Sequence, residues 1–335
     1  MNNHIHSIPL TVKFIAACFA LICTFFISMV FGAADTSIQE VWLALTSTVK
    51  TDTIIMLREI RLPREIAAVF VGAGLSVAGA IMQGVTRNPL ADPSLLGLTA
   101  GANAALAIVI ALIPSANYYA ITIACFIGAA VGTIMVVSIG AAKKGGFSPF
   151  RIVLAGAAVS AFLYAIAEGI GLYFKITKEV SMWSAGGIIG TTWGQLQVIV
   201  PFILTGIITS IFLSRQLTIL SLDEEVAIGL GQNIRFVKYI LFIIVIMLAG
   251  ASVALVGNLA FIGLMIPHIV RMIVGTDYRY ILPMSAVCGA TFLVLADTLG
   301  RNLNAPFETP VPAIVAMMGL PFFLFIVRKG GKAFS

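Results

Sequence analysis

The sequence predicts an all-α, polytopic integral membrane protein with about ten transmembrane helices and both termini in the cytoplasm. Of its 335 residues, 60% are hydrophobic and only 10% are charged, whereas about a quarter of the residues in a soluble domain are charged. Apolar runs of about 20 residues recur from end to end, and each can cross a hydrocarbon core about 30 Å thick. We therefore expect residues 1–335 to form a single transmembrane domain.

The apolar runs place the spans at residues 10–33, 65–85, 95–113, 117–141, 150–172, 195–214, 236–257, 259–274, 280–300 and 311–328. The first is similar to a secretory signal peptide, but its apolar stretch exceeds the length of about 7–15 residues found in such segments, so we expect a retained helix. The eighth span is short and contains Pro267. An even number of spans places both termini on the same side of the membrane.

The basic residues set the orientation of these spans. With the N-terminus inside, thirteen of the twenty Lys and Arg residues lie on the cytoplasmic side, as the positive-inside rule requires. The seven on the outer side are Lys50, Arg58, Arg61, Arg64, Lys175, Lys178 and Arg301. This topology explains the net charge of +6 without nucleic acid, because no basic tract with interleaved aromatic residues is present. The outer arginines run against the excess of basic residues on the cytoplasmic side, so we expect them to have a partner.

Small residues are concentrated in two of the predicted spans. The second contains Gly72, Gly74, Gly79 and Gly84, and the fourth contains GAAVG at residues 128–132. Because small side chains allow helices to approach closely in lipid, we expect both spans to pack tightly against neighbouring helices rather than to contact a transported molecule.

The sequence contains none of the short motifs that predict catalysis. It has no GxxxxGK[ST] phosphate loop, no HExxH and no GxSxG. Its four cysteines lie inside apolar runs without CxxC spacing or a clustered Cys/His set, which is not a metal or disulfide pattern. Glu168 and Asp297 are the candidate ion carriers within the predicted spans, but both fall towards outer ends that water can reach. We therefore expect a non-enzyme with no cofactor or metal of its own.

Residues 87–97, RNPLADPSLLG, interrupt the apolar sequence at the cytoplasmic end between the second and third spans. Pro89 and Pro93 disfavour a continuous helix here. Non-helical backbone at membrane depth persists only where protein or a water-filled cavity surrounds it. From the residues alone, a constriction in a pathway and an ordinary tight turn explain this break equally well.

Residues 219–233 predict a short amphipathic helix on the cytoplasmic side. The apolar positions at helical spacing are Ile219, Leu222, Val226 and Leu230. Gly229 and Gly231 then permit a sharp turn. The apolar face suits the groove of a partner protein, or alternatively the membrane surface. Its acidic polar face argues against the membrane, because the inner leaflet is negatively charged and interfacial helices are usually basic.

Three stretches of the sequence together resemble FecCD-type permeases. They are residues 61–102, which include RLPR and RNPLADP, residues 259–271, LAFIGLMIPHIVR, and residues 306–330, PFETPVPAIVAMMGLPFFLFIVRKG. The resemblance extends over nearly the whole chain in the same order. Such permeases are multi-pass subunits, in the bacterial cytoplasmic membrane, of binding-protein-dependent ABC importers for iron–siderophore complexes, haem and cobalamin.

The resemblance implies a set of partners. Two copies of a separate ATP-binding subunit would bind ATP and magnesium, and a second permease subunit, identical or paralogous, would complete the pathway. An extracytoplasmic substrate-binding protein would deliver a metal–chelate cargo. A ferric siderophore is the expected cargo, with haem or cobalamin as alternatives.

The resemblance also implies roles for particular residues. Arg61, Arg64 and Arg301 would receive glutamates of the docked binding protein, since the planar fork of Arg pairs a carboxylate bidentately. Asn88 and Leu90 would close the cytoplasmic end of the pathway as gate residues. Residues 219–233 would form the coupling helix that enters the ATPase. The positions carried over for it are Leu222, Val226, Gly229, Leu230 and Gly231.

Two alternatives of other classes remain open at the level of sequence. An ion-coupled secondary transporter would lose uptake with the proton or sodium gradient and would not need an ATPase. A membrane scaffold would move no cargo even when every partner was present. The FecCD-like stretches and the amphipathic segment disfavour both alternatives.

Overall fold

The computed structural model describes residues 9–32, 36–141, 149–185, 187–222, 224–305 and 307–329, and the regular structure in these residues is helical. The helices are α1 (Leu10–Val30), α2 (Ile38–Thr46), α3 (Asp52–Met56), α4 (Leu62–Thr86), α5 (Leu98–Leu112), α6 (Tyr118–Ala141), α7 (Pro149–Phe174), α8 (Thr177–Ser184), α9 (Trp193–Phe212), α10 (Ser214–Leu222), α11 (Glu224–Gly229), α12 (Ile234–Val256), α13 (Ile262–Val274), α14 (Tyr278–Asn302) and α15 (Val311–Lys329). A π-helical turn, Leu57–Arg61, joins α3 to α4, and a 3₁₀ turn, Pro93–Leu96, precedes α5.

Each of the ten predicted spans coincides with one of these helices, and the all-α membrane fold is confirmed. Within the described residues, seven helical segments are long and apolar enough to cross a membrane, one of them continuous from α3 through α4. Helices α5 and α13 and the apolar part of α15 are shorter. The number of ten spans and the cytoplasmic location of both termini stay predictions.

Helix α4 occupies the centre of the bundle. It packs against α14, α12, α13 and α9, and most of its residues are buried. Helix α1, by contrast, buries only 6% of its apolar window within the chain. A helix that is apolar all round is covered by protein or by lipid. Helix α4 is therefore a core helix, and α1 offers its apolar surface to lipid or to another chain.

Glycines set the distance between α4 and its neighbours. A Cβ at Gly79 would lie 1.9 Å from the carbonyl oxygen of Gly263, and one at Gly72 would lie 2.3 Å from that of Gly289. The same device joins α5 to α6, where a Cβ at Gly101 would lie 2.1 Å from the oxygen of Gly128. The packing role predicted for the small residues of the second and fourth spans is confirmed.

The sequence did not predict two short helices between spans, α2 and α8. Helix α2 begins with a capping box, in which Ser37 and Glu40 satisfy each other's backbone N–H groups. Helix α8 follows α7 and packs against both α7 and α5. These helices lie at the end of the bundle that the predicted orientation places outside, and α8 forms part of a cavity described below.

Candidate functional site

Six charged residues meet where α4 begins and α14 ends, and we call them the charge group. Its members are Arg61, Arg64, Glu65, Asp297, Arg301 and Glu308. The first three lie at the junction between the π-helical turn and α4. Asp297 and Arg301 are one turn apart in α14, and Glu308 lies in the connection to α15. With three arginines and three acids, the group balances its formal charge.

Asp297 is the shared acceptor at the centre of the charge group. Its Oδ1 lies 2.9 Å from Nη2 of Arg64, and its Oδ2 lies 3.1 Å from Nε of Arg301. Arg301 also pairs with Glu65. Arg64 Nη1 donates to the carboxylate of Glu308 at 2.8 Å. Each of these two arginines therefore bridges a pair of acids.

The third arginine is held mainly by backbone. Arg61 Nη1 donates to the carbonyl oxygen of Met29 and to the hydroxyl of Thr36, both at 2.8 Å. Those acceptors lie at and beyond the end of α1. Arg61 thus fastens the end of α1 to the start of α4.

The charge group is almost completely removed from solvent. The side chains of Glu65 and Asp297 are fully buried, whereas that of Glu308 is 28% exposed. Burying an unpaired charge costs several kcal/mol, so buried charges occur with partners. The charge balance of the group is therefore a condition for its burial, and Glu308 is its most solvent-accessible acid.

The structure corrects one sequence-based interpretation here and refines another. The arginines Arg61, Arg64 and Arg301 were expected to need a partner, and each has partners within this chain. Asp297 was expected to be reached by water, and this was wrong because the two arginines enclose it. Glu65 was overlooked, although its position beside Arg64 in the sequence was a usable signal. The docking role of the three arginines stays a prediction.

The break at residues 87–97 is built from side-chain turns. Arg87 ends α4 in the left-handed conformation with φ 51°. Asn88 Oδ1 then accepts from the backbone N–H of Leu90 at 3.0 Å, and Asp92 Oδ1 accepts from that of Ser94 at 2.7 Å. Such local bonds replace the helical ones that the prolines exclude. The predicted non-helical segment is confirmed, and a 3₁₀ turn makes it longer than a simple tight turn.

The two predicted gate residues lie side by side at a small cavity. Asn88 and Leu90 are half-buried, and they line a space of about 100 Å³ between the end of α4 and the start of α7. Burial raises the pKa of Asp92 in the same segment, against the opposing effect of hydrogen bonds from Ser94 and the backbone of Phe261. Because Phe261 immediately precedes α13, the segment is tied to that helix as well.

The predicted coupling segment is helical on both sides of residue 223, which lies outside the described residues. Helix α10 covers Ser214–Leu222 and α11 covers Glu224–Gly229. Leu217 and Leu220 are buried, and α10 packs against α4 and α14. The first part of the segment is therefore attached to the bundle.

The apolar residues of the segment from Leu222 onwards are exposed, in contrast to Leu217 and Leu220. Leu222 is 66% exposed, Val226 48% and Leu230 65%. Gly229 ends α11, and Gly231 adopts φ 77°, a conformation that favours glycine. The sharp turn predicted at these glycines is confirmed. The exposed surface formed by Leu222, Val226 and Leu230 is called the coupling surface below.

Comparison with known proteins identifies the family. The model of the FecCD transport family matches residues 20–329. This chain belongs to the FecCD transport family. Among curated relatives of this FecCD protein, the iron(3+)-hydroxamate import system permease protein FhuB of Bacillus subtilis is 43% identical over 305 residues, covering 91% of this chain and 79% of that one. The Fe(3+)-citrate import system permease protein YfmD of the same organism is 40% identical, covering 89% of each chain.

Two further similarities widen the comparison. The hemin transport system permease protein HmuU of Yersinia pestis is 38% identical to the FecCD chain, covering 89% of this chain and 90% of that one. A metal-chelate type ABC transporter solved in an inward-facing conformation superposes with a TM-score of 0.83 at 26% identity. The superposition covers 95% of this chain and 99% of the other. The similarity therefore extends to the complete helical arrangement.

Proposed function

We propose that this chain is the permease subunit of a binding-protein-dependent ABC importer in the bacterial cytoplasmic membrane, and that its cargo is a ferric siderophore. The observation that carries the proposal is the FecCD family match over residues 20–329. The relatives named for iron hydroxamate and iron citrate import favour a ferric chelate. The relative named for hemin makes haem the second candidate.

The coupling surface supports a separate ATPase as the energy source. Leu222, Val226 and Leu230 expose apolar side chains on a segment outside the bundle core. Anchors of this kind fit a groove on a partner protein. Two ATPase subunits would bind ATP and magnesium, and their closure would move this segment together with α4 and α14, against which α10 packs. A second permease subunit would face this one across the pathway.

The break at residues 87–97 is the proposed cytoplasmic gate. Asn88 and Leu90 lie on non-helical backbone, where a few dihedral changes alter the position of a side chain more easily than inside a helix. The cavity beside them, about 100 Å³, leaves room for such a change. Asp92 links the segment to the start of α13, so movement of that helix would reach the gate.

The docking proposal concentrates on Arg64. All three arginines are buried, but Arg64 differs from Arg61 and Arg301 in pairing with the part-exposed Glu308. A carboxylate of the binding protein would therefore replace Glu308 on Arg64, keeping the charge balance of the group. Arg61 and Arg301 would support docking by holding α1, α4 and α14 in position.

Reconstitution of the complete importer tests the proposed function. The permease pair and ATPase would be placed in liposomes, and the binding protein loaded with radiolabelled ferric hydroxamate would be supplied outside. We expect uptake that depends on ATP in the compartment facing the ATPase and stops with an ATPase variant unable to hydrolyse it. Uptake that instead follows a proton or sodium gradient would indicate a secondary transporter. No uptake in the presence of every partner would support a scaffold.

A further inference from the structure

A polar cavity lies between α5, α7 and α8. Its volume is about 230 Å³, and its polar lining residues are Asn103, Tyr164, Glu168, Thr177, Ser181 and Ser184. Such a concentration of polar side chains is unusual in a chain in which only 10% of the residues are charged. The cavity is smaller than the 300–1,000 Å³ of typical small-molecule pockets. It suits one functional group of a ligand better than a whole chelate.

Asn103 shows that the cavity presents unused hydrogen-bonding capacity. This residue is only 5% exposed, and its Oδ1 accepts from Ser184 Oγ at 2.7 Å. Among the described residues no hydrogen bond from its amide nitrogen is found, and this nitrogen is not one of the fully enclosed polar atoms that lack a partner. The amide nitrogen is therefore accessible from the cavity, where water or a ligand group can accept its hydrogen bond.

Glu168 connects the cavity to an exposed face of α7. It is exposed and lies about 9 Å from the C-terminal end of the helix, at a rise of 1.5 Å per residue. The same face exposes Ala157, Ala161, Ala165 and Gly169, together with Leu154 and Leu172. A carboxylate facing lipid tails is costly, and ionisable residues in spans face protein interiors or water-filled cavities. Around Glu168, this side of α7 therefore borders water or another protein chain rather than lipid.

We propose that Glu168 and the polar cavity beneath it form a charge-selective subsite for the transported chelate, favouring neutral or cationic chelates over anionic ones. The proposal rests on the proposed transport function. Within the described lining, Glu168 is the charged side chain. Lys178 and Glu179 lie on α8 but do not line the cavity, and Lys175 lies in the turn before α8.

Ferric chelates differ in net charge, so a charged subsite can distinguish between them. Three hydroxamate groups carry one negative charge each and neutralise Fe³⁺, and a pendant ammonium makes such a chelate cationic. Catecholate and citrate ligands carry more charge than the iron and give anionic complexes. The Glu168 carboxylate would repel these, while the hydroxyl of Tyr164 and the amide of Asn103 would bond to amide or hydroxamate oxygens. The subsite thus points to hydroxamate-type cargo.

Thiol labelling measures the charge of the subsite without any cargo. Ser181→Cys would place a thiol in the lining, within the full permease–ATPase complex, and cationic and anionic methanethiosulfonates would be compared. We expect the cationic reagent to react faster. Glu168→Gln should reduce this preference about fivefold, the order expected for removing one nearby charge at intermediate effective dielectric. A chain with native Ser181 corrects for labelling of the four native cysteines.

Glu179→Gln is the matched control, because it removes the same charge on the same helix as Ser181 but outside the lining. It should leave the reagent preference unchanged. The proposal is overturned if the thiol introduced by Ser181→Cys is not labelled, if Glu168→Gln has no effect, or if Glu179→Gln has an equal effect.

Transport then separates this proposal from the proposed function. Binding protein saturated with neutral ferrichrome or with cationic ferrioxamine B would supply the reconstituted importer. Glu168→Lys should lower the ratio of cationic to neutral uptake by at least about fivefold. If the wild-type importer moves neither chelate, the proposed function fails. If it moves both and Glu168→Lys leaves their ratio unchanged, only the subsite is contradicted.

Discussion

Asp297 holds the start of α4 and the end of α14 together through two arginines from different helices. Its carboxylate is fully buried and pairs with both Arg64 and Arg301. Losing one partner of a buried ion pair is costly because the other charge remains in the interior without compensation. Here the single carboxylate of Asp297 is the partner of two arginines. The residue is therefore a stability determinant, whatever the docking role of the arginines.

Asp297→Asn should lower the free energy of unfolding by about 3–5 kcal/mol. The measurement is denaturant or thermal unfolding of the purified chain in detergent. Asp277→Asn is the control, because Asp277 pairs with Arg279 at a solvent-accessible helix end. Asn also retains N-cap function, so this control should cost no more than about 1 kcal/mol. Equal effects of the two substitutions would contradict the central role of Asp297.

Glu308→Gln tests the docking proposal at Arg64. Removing the internal carboxylate should free the side of Arg64 that faces Glu308 and raise the affinity for the binding protein by up to about fivefold, the size of a partly exposed ion pair. The measurement is binding of purified binding protein to equal amounts of folded variant and wild-type importer in nanodiscs. An unchanged affinity would show that the binding protein does not use Arg64.

At the scale of helices, close backbone contact organises the core. Gly79 in α4 meets Gly263 in α13, and no Cβ can be placed between them. Gly79→Ala should therefore force α4 and α13 apart and cost about 1–3 kcal/mol or more. Gly169→Ala in α7 is the matched control, since nothing lies within 4 Å of its added Cβ. Unfolding of the isolated chain should show a loss for the first variant only.

Introducing negative charge into the coupling surface tests whether it binds the ATPase. Leu222→Asp with Val226→Asp should abolish co-purification of the ATPase, because both side chains are exposed and would enter its groove as carboxylates. Membrane insertion should be unaffected, since the segment lies outside the predicted spans. Glu225→Ala, which changes an exposed position of the same helix, should retain the ATPase. Retention by the double variant would exclude this surface as the coupling site.

Helices were predictable from sequence where the signal was local. Apolar runs located the ten helices that coincide with the predicted spans, and Pro89, Pro93 and Gly231 marked breaks that the structure contains. The attachment of α10 to the bundle was not predictable from spacing, because it depends on Leu217 and Leu220 packing against distant helices. The cavity at Glu168 was missed for the same reason, since Asn103 and Ser184 meet only in the folded bundle.

At the scale of the whole molecule, helix α4 connects the proposed gate to the coupling surface. Helix α10 packs against α4 and α14, and α4 ends at the proposed gate segment. Asn88→Ala with Leu90→Ala should therefore raise ATP hydrolysis that is not linked to transport, or passive leak of chelate from liposomes. Both rates are measured in the reconstituted importer. If both equal the wild-type values while transport is normal, the segment is only a connection between helices.

The charge group also has a consequence for synthesis of the chain. Arg64 and Asp297 are separated by 233 positions, and at about 5–20 residues per second this distance takes roughly 10–50 seconds to translate. During that interval Arg64 and Glu65 must wait at the membrane without their final counter-charges. A nascent chain stalled before α14 would therefore leave its central helix exposed to membrane quality-control proteases. This exposure ends when the last two spans have been synthesised and Asp297 can pair with Arg64.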